Sequence, residues 1–456
     1  MAMREGKLFG TDGVRGRANH APMTVETALS LGRAVGMLLC QEGEHPRVVI
    51  GKDTRRSCYM FENALIAGLC SMGVHTLMVG PLPTPGVAFI TRAYRADAGV
   101  VISASHNPYH DNGIKFFKAD GFKLLDEEER WVEEAIRTRA FDDALPRDSE
   151  IGRNKKVEGA DVRYVEFVKN TFARKRSLQG MQVVLDCANG AGYHVGPLIF
   201  EELDAELTTL GVNPNGLNIN ENVGALHPQL LQRTVVEQGA HVGIALDGDA
   251  DRVVMVDEKG QIVDGDRILG ICAMSLKERN ALPNNRIVGT VMSNEGFVQT
   301  MRSQGIEVLR AKVGDRNVLR EMRKCNAVLG GEQSGHIIFL DHNTTGDGLV
   351  SALQVLRIMQ DTGKPLSELA AFFDPYPQVL LNVKVREKPP IDSLHDIRST
   401  VDQVERLMQG NGRVLVRYSG TENICRVMVE GPDGDQVGRF AQEIADTVQT
   451  SIGWEK

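Results

Sequence analysis

The sequence contains no long hydrophobic run and no recognisable secretion signal. Although 42% of the 456 residues are hydrophobic, no segment approaches the run of about 20 apolar residues that a membrane-spanning helix needs. The first seven residues, MAMREGK, lack the apolar core of a secretory signal peptide. We therefore expect a cytoplasmic globular protein that does not act on or within a membrane.

Excess positive charge and paired cysteines are also missing. The formal net charge of −8 argues against a nucleic-acid binder, because such proteins neutralise many phosphates with Lys and Arg. The seven cysteines are scattered, odd in number and without a C-x-x-C pair, so neither a disulfide framework nor a zinc site is predicted. We expect most of them to be reduced thiols in the core.

Short apolar runs alternate with helical patterns along most of the chain, which is typical of βαβ units. The first group comprises predicted strands at Val48–Ile50, Val74–Val79 and Gly99–Ile102 and predicted helices at Val25–Cys40, Tyr59–Ser71 and Asp126–Arg139. Two later groups comprise a helix at Asp161–Arg174 and strands at Gln182–Asp186, Val242–Leu246, Val253–Val256, Ile287–Met292, Ile306–Leu309, Ala327–Leu329 and Ile337–Leu340. The pattern predicts three consecutive α/β domains with mixed sheets.

A different pattern follows residues 374–377, DPYP, whose two prolines resist both helix and sheet. It comprises strands at Val379–Val385, Arg413–Tyr418 and Ile424–Glu430 and a closing helix at Gln436–Ile452. This order predicts a smaller C-terminal α+β domain. The predicted domains are therefore residues 1–156, 157–258, 259–373 and 374–456.

A hydroxyl-rich loop follows one of the predicted strands, in residues 100–108, VVISASHNP. Three apolar residues lead into Ser103 and Ser105, and Pro108 prevents the strand from continuing. The hydroxyls then lie at the end of a strand, where open α/β sheets bind ligands. Taken alone, the segment is more typical of an ordinary polar turn, so other motifs must decide.

Three carboxylates stand at alternate positions in residues 247–252, DGDADR. Oxygen ligands clustered in a loop are what a hard cation such as Mg²⁺ accepts. A calcium loop of the EF-hand type is the closest alternative, and Glu258 even falls at its twelfth position. However, Arg252 occupies the place where that loop needs glycine, and a strand-like run follows instead of a helix. An acidic turn that is simply exposed to solvent is the remaining alternative.

Three further segments combine glycine with polar or charged groups. Residues 413–423, followed by Arg426, form a strand that enters a small polar loop and offers arginine forks and hydroxyls to an anion. Residues 10–16, GTDGVRG, flank Arg15 with glycine, which allows close approach to a ligand. Residues 330–336, GGEQSGH, offer a carboxylate, a hydroxyl and an imidazole that suit sugar hydroxyls. A polar β-turn and a packed histidine are the simpler alternatives.

Taken together, these motifs resemble a known family. The motifs are residues 7–16 (KLFGTDGVRG), the Ser105 segment, and residues 247–252, 331–336 and 417–423. Their order and spacing resemble the bacterial phosphoglucosamine mutases of the α-D-phosphohexomutase superfamily over essentially the whole chain. The resemblance implies four domains around a central cleft, each contributing one loop.

The same resemblance implies the chemistry. Ser105 would be carried as a phosphoserine that gives its phosphoryl group to the sugar and recovers one from the other end, through a sugar 1,6-bisphosphate. Mg²⁺ would be held by a phosphate oxygen on Ser105 and by Asp247, Asp249 and Asp251. A phosphoserine next to a metal ion suits this reaction, because phosphoryl transfer depends mainly on positioning and charge neutralisation.

The remaining implied roles concern proton transfer, charge and substrate binding. Lys115 and His336 would transfer protons, although Lys115 would need a depressed pKa to act as a base. Arg15 and Arg252 would stabilise the transferring charge. Binding of the substrate would fall to Ser103, His106, Lys312, Gly314, Asp315, Arg316, Glu332, Ser334, Arg417, Ser419, Gly420, Thr421, Asn423 and Arg426. Asn317 stands where family members often have an aromatic residue, and we expect only local packing to differ.

Two positions favour an amino sugar over glucose or mannose phosphates. In comparison with hexose-specific members, Ser103 replaces the usual threonine and Gln333 replaces a frequent methionine, which makes the site smaller and more polar. The resemblance therefore implies interconversion of glucosamine 6-phosphate and glucosamine 1-phosphate, in the synthesis of UDP-N-acetylglucosamine and cell-envelope precursors. The partner is a hexosamine phosphate, and a homodimer is allowed. A phosphomannomutase or phosphoglucomutase, and a non-catalytic sugar-phosphate-binding protein, are the alternatives.

Overall fold

The computed structural model describes residues 7–10, 12–40, 45–419 and 423–454. The chain divides into two compact units, one formed by residues 1–292 and 309–370 and the other by residues 293–308 and 371–456. Among the described residues, none of the helices is both long and apolar enough to cross a lipid bilayer. All seven cysteines are free, and four of them are buried, as expected.

The first sheet of the larger unit is built by the N-terminal third of the chain. Its elements are β1 (Val14–Arg17), α1 (Val25–Leu39), β2 (Arg47–Lys52), α2 (Arg56–Cys70), β3 (His75–Pro81), α3 (Thr84–Ala93), β4 (Ala98–Ile102), β5 (Asp111–Lys118), α4 (Asp126–Thr138) and β6 (Asn154–Lys156). The strand order is β1-β5-β4-β2-β3-β6. The four strands β4, β2, β3 and β6 are parallel, while β5 and β1 continue the sheet in antiparallel fashion.

The second sheet repeats this plan with five strands. Its elements are α5 (Ala160–Lys169), β7 (Gln182–Asp186), α6 (Val195–Glu201), β8 (Glu206–Leu210), α7 (Gln229–Gln238), β9 (Val242–Leu246), β10 (Val253–Asp257) and β11 (Ile262–Val263). The strand order is β11-β10-β9-β7-β8. Strands β9, β7 and β8 are parallel, and β10 and β11 are antiparallel to their neighbours.

The third sheet has the order β13-β12-β14-β15. The elements of this part of the chain are α8 (Gly265–Glu278), β12 (Arg286–Thr290), α9 (Glu295–Ser303), β13 (Glu307–Ala311), α10 (Asp315–Cys325), β14 (Leu329–Gly331), β15 (Ile337–Phe339), α11 (Gly348–Thr362) and α12 (Leu366–Ala370). Strand β14 is parallel to β12 and antiparallel to β15. Helix α9 belongs to the smaller unit.

All three sheets place a motif loop at the same topological position. In each sheet the last parallel strand, β4, β9 or β14, turns back as an antiparallel hairpin. The Ser105 segment, the carboxylate cluster and residues 332–336 are the tips of these three hairpins. Each loop therefore follows the carboxyl end of a parallel strand, where open α/β sheets bind ligands.

The smaller unit also holds an antiparallel three-stranded sheet with the order β16-β18-β17. Its elements are β16 (Gln378–Lys384), α13 (His395–Met408), β17 (Arg413–Tyr418), β18 (Ile424–Glu430) and α14 (Gly434–Ile452). Helix α14 begins at Asp433, whose side chain accepts hydrogen bonds from the amides of Asp435 and Gln436. Its apolar face, including Ile444 and Val448, packs on the sheet. Four short 3₁₀ turns complete the described elements, at Asp142–Ala144, Asp148–Glu150, Pro283–Asn285 and Ile391–Ser393.

The predicted fold class is confirmed, with three α/β sheets of mixed direction and a smaller α+β part. The helix predicted over 161–174 ends early, at Lys169. The side chains of Asn170 and Thr171 bond back to the carbonyls of Glu166 and Val168, and this satisfies the last turn.

The strand predicted at 327–329 lies two residues later, at Leu329–Gly331. Glycine has a low strand propensity, which hid the strand in the sequence. Here it is required by packing, because a Cβ on Gly331 would lie 2.6 Å from the carbonyl oxygen of His336.

Candidate active site

Ser105 lies at the tip of the β4–β5 hairpin and points at the carboxylate cluster. Its hydroxyl donates a hydrogen bond to Asp247 Oδ2 over 2.5 Å. The residue is 1% exposed and adopts a left-handed backbone conformation with φ of 53°, which is uncommon for a residue with a side chain. A buried hydroxyl held against a carboxylate is a poised acceptor or carrier for a transferable group.

The hydroxyl of Ser103, a predicted substrate contact, is bonded within the protein. Its hydroxyl donates to Asp53 Oδ2 over 2.6 Å and accepts from the amide of Ser105 over 2.9 Å. The side chain is fully buried. Ser103 therefore fixes the shape of the loop, and its donor is already used inside the protein.

The three carboxylates of the β9–β10 hairpin converge in the structure. One ligand oxygen from each of Asp247, Asp249 and Asp251 lies within 4.8 Å of the other two, and all three residues are buried. Burial, followed by the charges of Asp251 and Asp249, raises the pKa of Asp247 well above its usual value. Repulsion among the three buried carboxylates therefore destabilises the cluster unless a cation balances their charge.

These residues fit a divalent cation such as Mg²⁺. Asp249 Oδ1 and Asp251 Oδ1 are buried and make no hydrogen bond, and buried carboxylate oxygens without a partner are rare. Hard oxygen donors are the ligands that Mg²⁺ prefers. The hydroxyl of Ser105 lies next to this cluster, because it donates a hydrogen bond to Asp247.

Lys115, on β5, is surrounded by acidic groups. Its Nζ lies 2.8 Å from Asp249 Oδ2, 3.1 Å from Asp12 Oδ2 and 3.7 Å from Asp251 Oδ2. Burial alone would lower its pKa, but the charges of Asp12 and Asp249 outweigh burial and raise the pKa above the ordinary value. The contacts therefore hold Lys115 as an ammonium ion, which opposes the predicted role as a proton acceptor.

A partly buried ion network extends from Lys115 to the start of α10. Asp12 also pairs with Arg15 and with Lys123, and Lys123 in turn pairs with Asp315. Burial would raise the pKa of Asp12, yet the neighbouring lysines hold it well below its usual range. These charges are therefore mutually fixed on strands and loops of different sheets.

His106 and Arg252 lie beside Ser105, on opposite hairpins. His106 Nδ1 is 2.9 Å from Arg252 Nη1 and 3.3 Å from the Ser105 hydroxyl. Burial and the neighbouring arginines Arg252 and Arg15 lower the pKa of His106 to about 4. The imidazole is therefore neutral at pH 7 and accepts from Arg252, which leaves the guanidinium next to Ser105.

The β14–β15 hairpin carries Glu332, Ser334 and His336. Glu332 is buried and accepts from the amide of Gly314 over 2.9 Å, whereas Ser334 is exposed. Both ring nitrogens of His336 are buried without a hydrogen-bond partner, and Nε2 lies 3.8 Å from Asp251 Oδ2 and from Asp315 Oδ2. An imidazole with unused nitrogens at an acidic corner is able to move a proton.

The side chains of residues 312–316 point in different directions. Asp315 faces the site beside His336, and Gly314 supports Glu332. Lys312 is exposed. Arg316 is turned toward α4, where it binds Asp126 and forms a two-pronged pair with Glu129. Because these carboxylates occupy its guanidinium, Arg316 ties α10 to α4 and is not placed as a substrate ligand.

In the smaller unit, the predicted phosphate loop brings two arginines face to face. Arg417 on β17 is directly opposite Arg426 on β18, and like charges in such cross-strand pairs are destabilising. Arg426 Nε is buried without a partner. Ser419 begins the loop. Asn423 ends the loop and is exposed. The predicted ligands Gly420 and Thr421 lie outside the described residues.

Comparison with known proteins assigns the family. Four family models match the chain, described as phosphoglucomutase/phosphomannomutase alpha/beta/alpha domain I over residues 6–143, domain II over 162–260, domain III over 264–376 and the C-terminal domain over 380–447. The chain belongs to the phosphoglucomutase/phosphomannomutase family. Members of this family are phosphotransfer enzymes, and the chain is such an enzyme.

Curated members of the family are similar over the full length. A phosphoglucosamine mutase from Protochlamydia amoebophila is 64% identical over 98% of both chains. Another, from Chlamydia muridarum, is 58% identical over 98% of this chain and 97% of its own.

Solved structures of the family share the fold. A phosphoglucomutase/phosphomannomutase family protein from Burkholderia thailandensis superposes with a TM-score of 0.82 at 24% identity, over 98% of this chain and 99% of its own. An N-acetylphosphoglucosamine mutase from Aspergillus fumigatus superposes with a TM-score of 0.66 at 16% identity, over 97% of this chain and 96% of its own.

Within the family site, most predicted residues of the larger unit come together. The convergent set is Arg15, Ser105, His106, Lys115, Asp247, Asp249, Asp251, Arg252, Asp315 and His336. Sequence reasoning missed three members of the network: Asp12, Lys123 and Thr84. Thr84 donates to Asp249 Oδ2 over 2.6 Å. Asp12 could have been found from its position in the GTDGVRG motif, whereas nothing local marks Lys123 or Thr84.

Proposed function

We propose that this chain is a phosphoglucosamine mutase, which interconverts glucosamine 6-phosphate and glucosamine 1-phosphate. The observation that carries the proposal is the buried Ser105 hydroxyl, held 2.5 Å from Asp247 within the carboxylate cluster. The full-length identity of 64% to a curated phosphoglucosamine mutase supports the choice among family activities.

In the proposed cycle, Ser105 is a phosphoserine in the resting enzyme. The sugar 6-phosphate presents its 1-hydroxyl, the phosphorus–Oγ bond of Ser105 breaks, and a bond from phosphorus to the sugar oxygen forms. The product is the 1,6-bisphosphate and a free serine. The bisphosphate then turns, returns its 6-phosphoryl group to Ser105 and leaves as the 1-phosphate, so phosphoryl groups and protons balance over one cycle. A sugar 1,6-bisphosphate is the activator that loads a free serine.

Charge neutralisation is the main task of the surrounding residues, as in other phosphoryl transfers. His106 contacts both Arg252 and the hydroxyl of Ser105, and this keeps the guanidinium of Arg252 next to Ser105. Arg15 is held in place by its ion pair with Asp12. The ammonium of Lys115 adds a third positive group within 2.8 Å of Asp249. We assign these three residues to stabilise the transferring phosphoryl group.

Proton transfer at the sugar hydroxyl is assigned to His336. Its two ring nitrogens are unused, and Asp315 and Asp251 lie at 3.8 Å, close enough to stabilise an imidazolium ion. In the first half of the cycle the attacking sugar hydroxyl gives its proton to His336, and the leaving Oγ of Ser105 takes up a proton from solvent. In the second half the hydroxyl of Ser105 loses that proton as it accepts the phosphoryl group, and His336 returns its proton to the sugar oxygen that is released.

Asp247, Asp249 and Asp251, together with an oxygen on phosphorylated Ser105, would hold Mg²⁺. When bound, the ion would supply positive charge to the phosphoryl oxygens. The unpaired oxygens of Asp249 and Asp251 support this assignment.

The substrate's distal phosphate is assigned to the smaller unit. The facing pair Arg417 and Arg426 supports this, because an anion relieves their repulsion. Ser419, Gly420, Thr421 and Asn423 would complete the loop. Glu332, Ser334 and Gln333 are assigned to the sugar hydroxyls and amino group, with the exposed Lys312 at the edge of the site.

We also propose the four domains with the predicted bounds, 1–156, 157–258, 259–373 and 374–456. A cytoplasmic location, a homodimeric state, and the absence of nucleic-acid and membrane partners are part of the same proposal. The formal net charge of −8 supports the absence of a nucleic-acid partner.

The deciding experiment is a coupled assay on the 6-phosphates of glucosamine, glucose and mannose, with a catalytic amount of glucose 1,6-bisphosphate. We expect the highest kcat/KM on glucosamine 6-phosphate and slower turnover of glucose 6-phosphate, since small pocket changes discriminate by only a few kcal/mol. Ser105→Ala should abolish turnover, whereas Ser303→Ala, on an exposed serine, should not. Brisk turnover of mannose phosphate without turnover of glucosamine phosphate would contradict the proposal.

A further inference from the structure

The backbone of Ser105 is held in its left-handed conformation by hydrogen bonds to its own carbonyl and to that of Asn107. The carbonyl oxygen of Ser105 accepts two hydrogen bonds, and so does that of Asn107, two residues later. All four bonds come from only two side chains, those of Arg55 and Asn220. Neither residue lies on the hairpin that carries Ser105.

Arg55 reaches the loop from the turn before α2. The side chain is completely buried. Its Nη2 donates to the carbonyls of Ser105 over 3.0 Å and of Asn107 over 2.6 Å, and its Nε donates to the carbonyl of Asp111 over 2.9 Å. One guanidinium thus spans the whole hairpin tip, a task that only the planar fork of arginine performs.

Asn220 donates to the same two carbonyls from the loop between β8 and α7. Its Nδ2 lies 2.9 Å from the carbonyl oxygen of Ser105 and 2.9 Å from that of Asn107. Asn220 is itself in a left-handed conformation, with φ of 58°, and its amide donates to the carbonyl of Ala188. The orientation of its side chain is therefore fixed by its own loop.

We propose that Arg55 and Asn220 are positioning residues for phosphoryl transfer, which hold the Ser105 carbonyl away from the reacting hydroxyl. Without them, the buried carbonyl of Ser105 and the partly buried carbonyl of Asn107 lose their donors, and the left-handed residue relaxes. The hydroxyl then leaves its place at Asp247. The charge of Arg55 is balanced by Asp53, whose Oδ2 lies 3.3 Å from Nη1, so its role here is to donate hydrogen bonds. The catalytic part of this inference rests on the proposed function.

The first test measures the loop itself and needs no turnover. Amide hydrogen exchange of residues 103–111 is followed in the wild type, Asn220→Ala and Arg55→Lys. The control is Gln354→Ala, because Gln354 is also a buried amide that donates to a backbone carbonyl, that of Thr171. We expect exchange in residues 103–111 to rise at least about tenfold in both loop variants and to stay unchanged in the control.

The second test measures phosphorylation of Ser105 by intact-mass spectrometry after addition of glucose 1,6-bisphosphate. We expect the rate of phosphorylation and kcat to fall at least about tenfold in Asn220→Ala, while KM for the sugar phosphate changes less than about threefold, since misplacement by about 1 Å costs up to about a hundredfold in rate. Arg55→Lys, which keeps the charge, should retain more activity than Arg55→Met.

The outcomes separate the two proposals. Wild-type exchange in residues 103–111 of Asn220→Ala would overturn the positioning role, as would a rise in KM with unchanged kcat. If Arg55→Met does not fold, Asn220→Ala still decides. If the wild type itself is never phosphorylated on Ser105, the proposed function fails, while the exchange data still test whether Arg55 and Asn220 hold the loop.

Discussion

Gly248, in the carboxylate loop, packs tightly against the backbone of the Ser105 loop. A Cβ at this position would lie 2.5 Å from the carbonyl oxygen of Ser105 and 2.9 Å from Nδ2 of Asn220. The nearest atom belongs to the backbone, so it cannot rotate away as a flexible side chain would. Gly248→Ala therefore tests whether the spacing of the two loops controls the chemistry.

The expected magnitude follows from that distance. The Cβ and the carbonyl oxygen must separate by about 0.9 Å to reach the 3.4 Å of an ordinary contact. A shift of this size breaks the 2.5 Å bond between Ser105 and Asp247. We expect kcat to fall about a hundredfold, and the overpacked loop to lose about 1–3 kcal/mol of stability.

The assay is steady-state turnover of glucosamine 6-phosphate together with the melting temperature. Gly438→Ala is the matched control, because a Cβ there meets no atom within 4 Å and the residue lies inside helix α14. That variant should keep its activity and gain up to about 1 kcal/mol in stability. Wild-type kcat in Gly248→Ala would refute the reasoning.

Three other substitutions probe separate features. Arg426→Ala should raise KM for the sugar phosphate about tenfold or more, yet stabilise the ligand-free protein by about 0.2–1 kcal/mol in thermal unfolding, because the repulsion from Arg417 disappears. Burial raises the pKa of Asp347 to about 6, above its unfolded value. Stability should therefore fall as pH rises from about 4 to about 6, by up to about 3 kcal/mol, and melting curves of Asp347→Asn should lack this fall. Ser103→Thr should leave the ratio of kcat/KM for glucosamine and glucose phosphates unchanged, since Ser103 bonds to Asp53; a changed ratio would restore its predicted contact with the substrate.

The arrangement of strands and loops was predictable because it depends on local signals. The apolar runs at 182–186, 242–246, 413–418 and 424–430 became strands with the predicted bounds. The reactive loops were found because each places hydroxyl or carboxylate groups at the end of a strand. Ser105 alone was more typical of a polar turn, and its role was predicted only from the order of all the motifs along the chain.

The direction in which a side chain points was not predictable, because distant segments decide it. Ser103 turned to Asp53, 50 residues earlier, and Arg316 to Glu129, 187 residues earlier. Likewise, nothing near Lys115 in the sequence reveals that Asp12 and Asp249 converge on it. The residue type at a motif position therefore predicts a possible role. Contacts with distant residues then determine whether the side chain is placed to perform it.

The facing arginines of β17 and β18 also affect how the protein should be handled. Any oxyanion in the buffer relieves the repulsion between Arg417 and Arg426. Sulfate or inorganic phosphate should therefore compete with the substrate, so that the apparent KM rises with their concentration. Kinetic constants from phosphate buffer and from an amine buffer with chloride then describe two differently occupied enzymes.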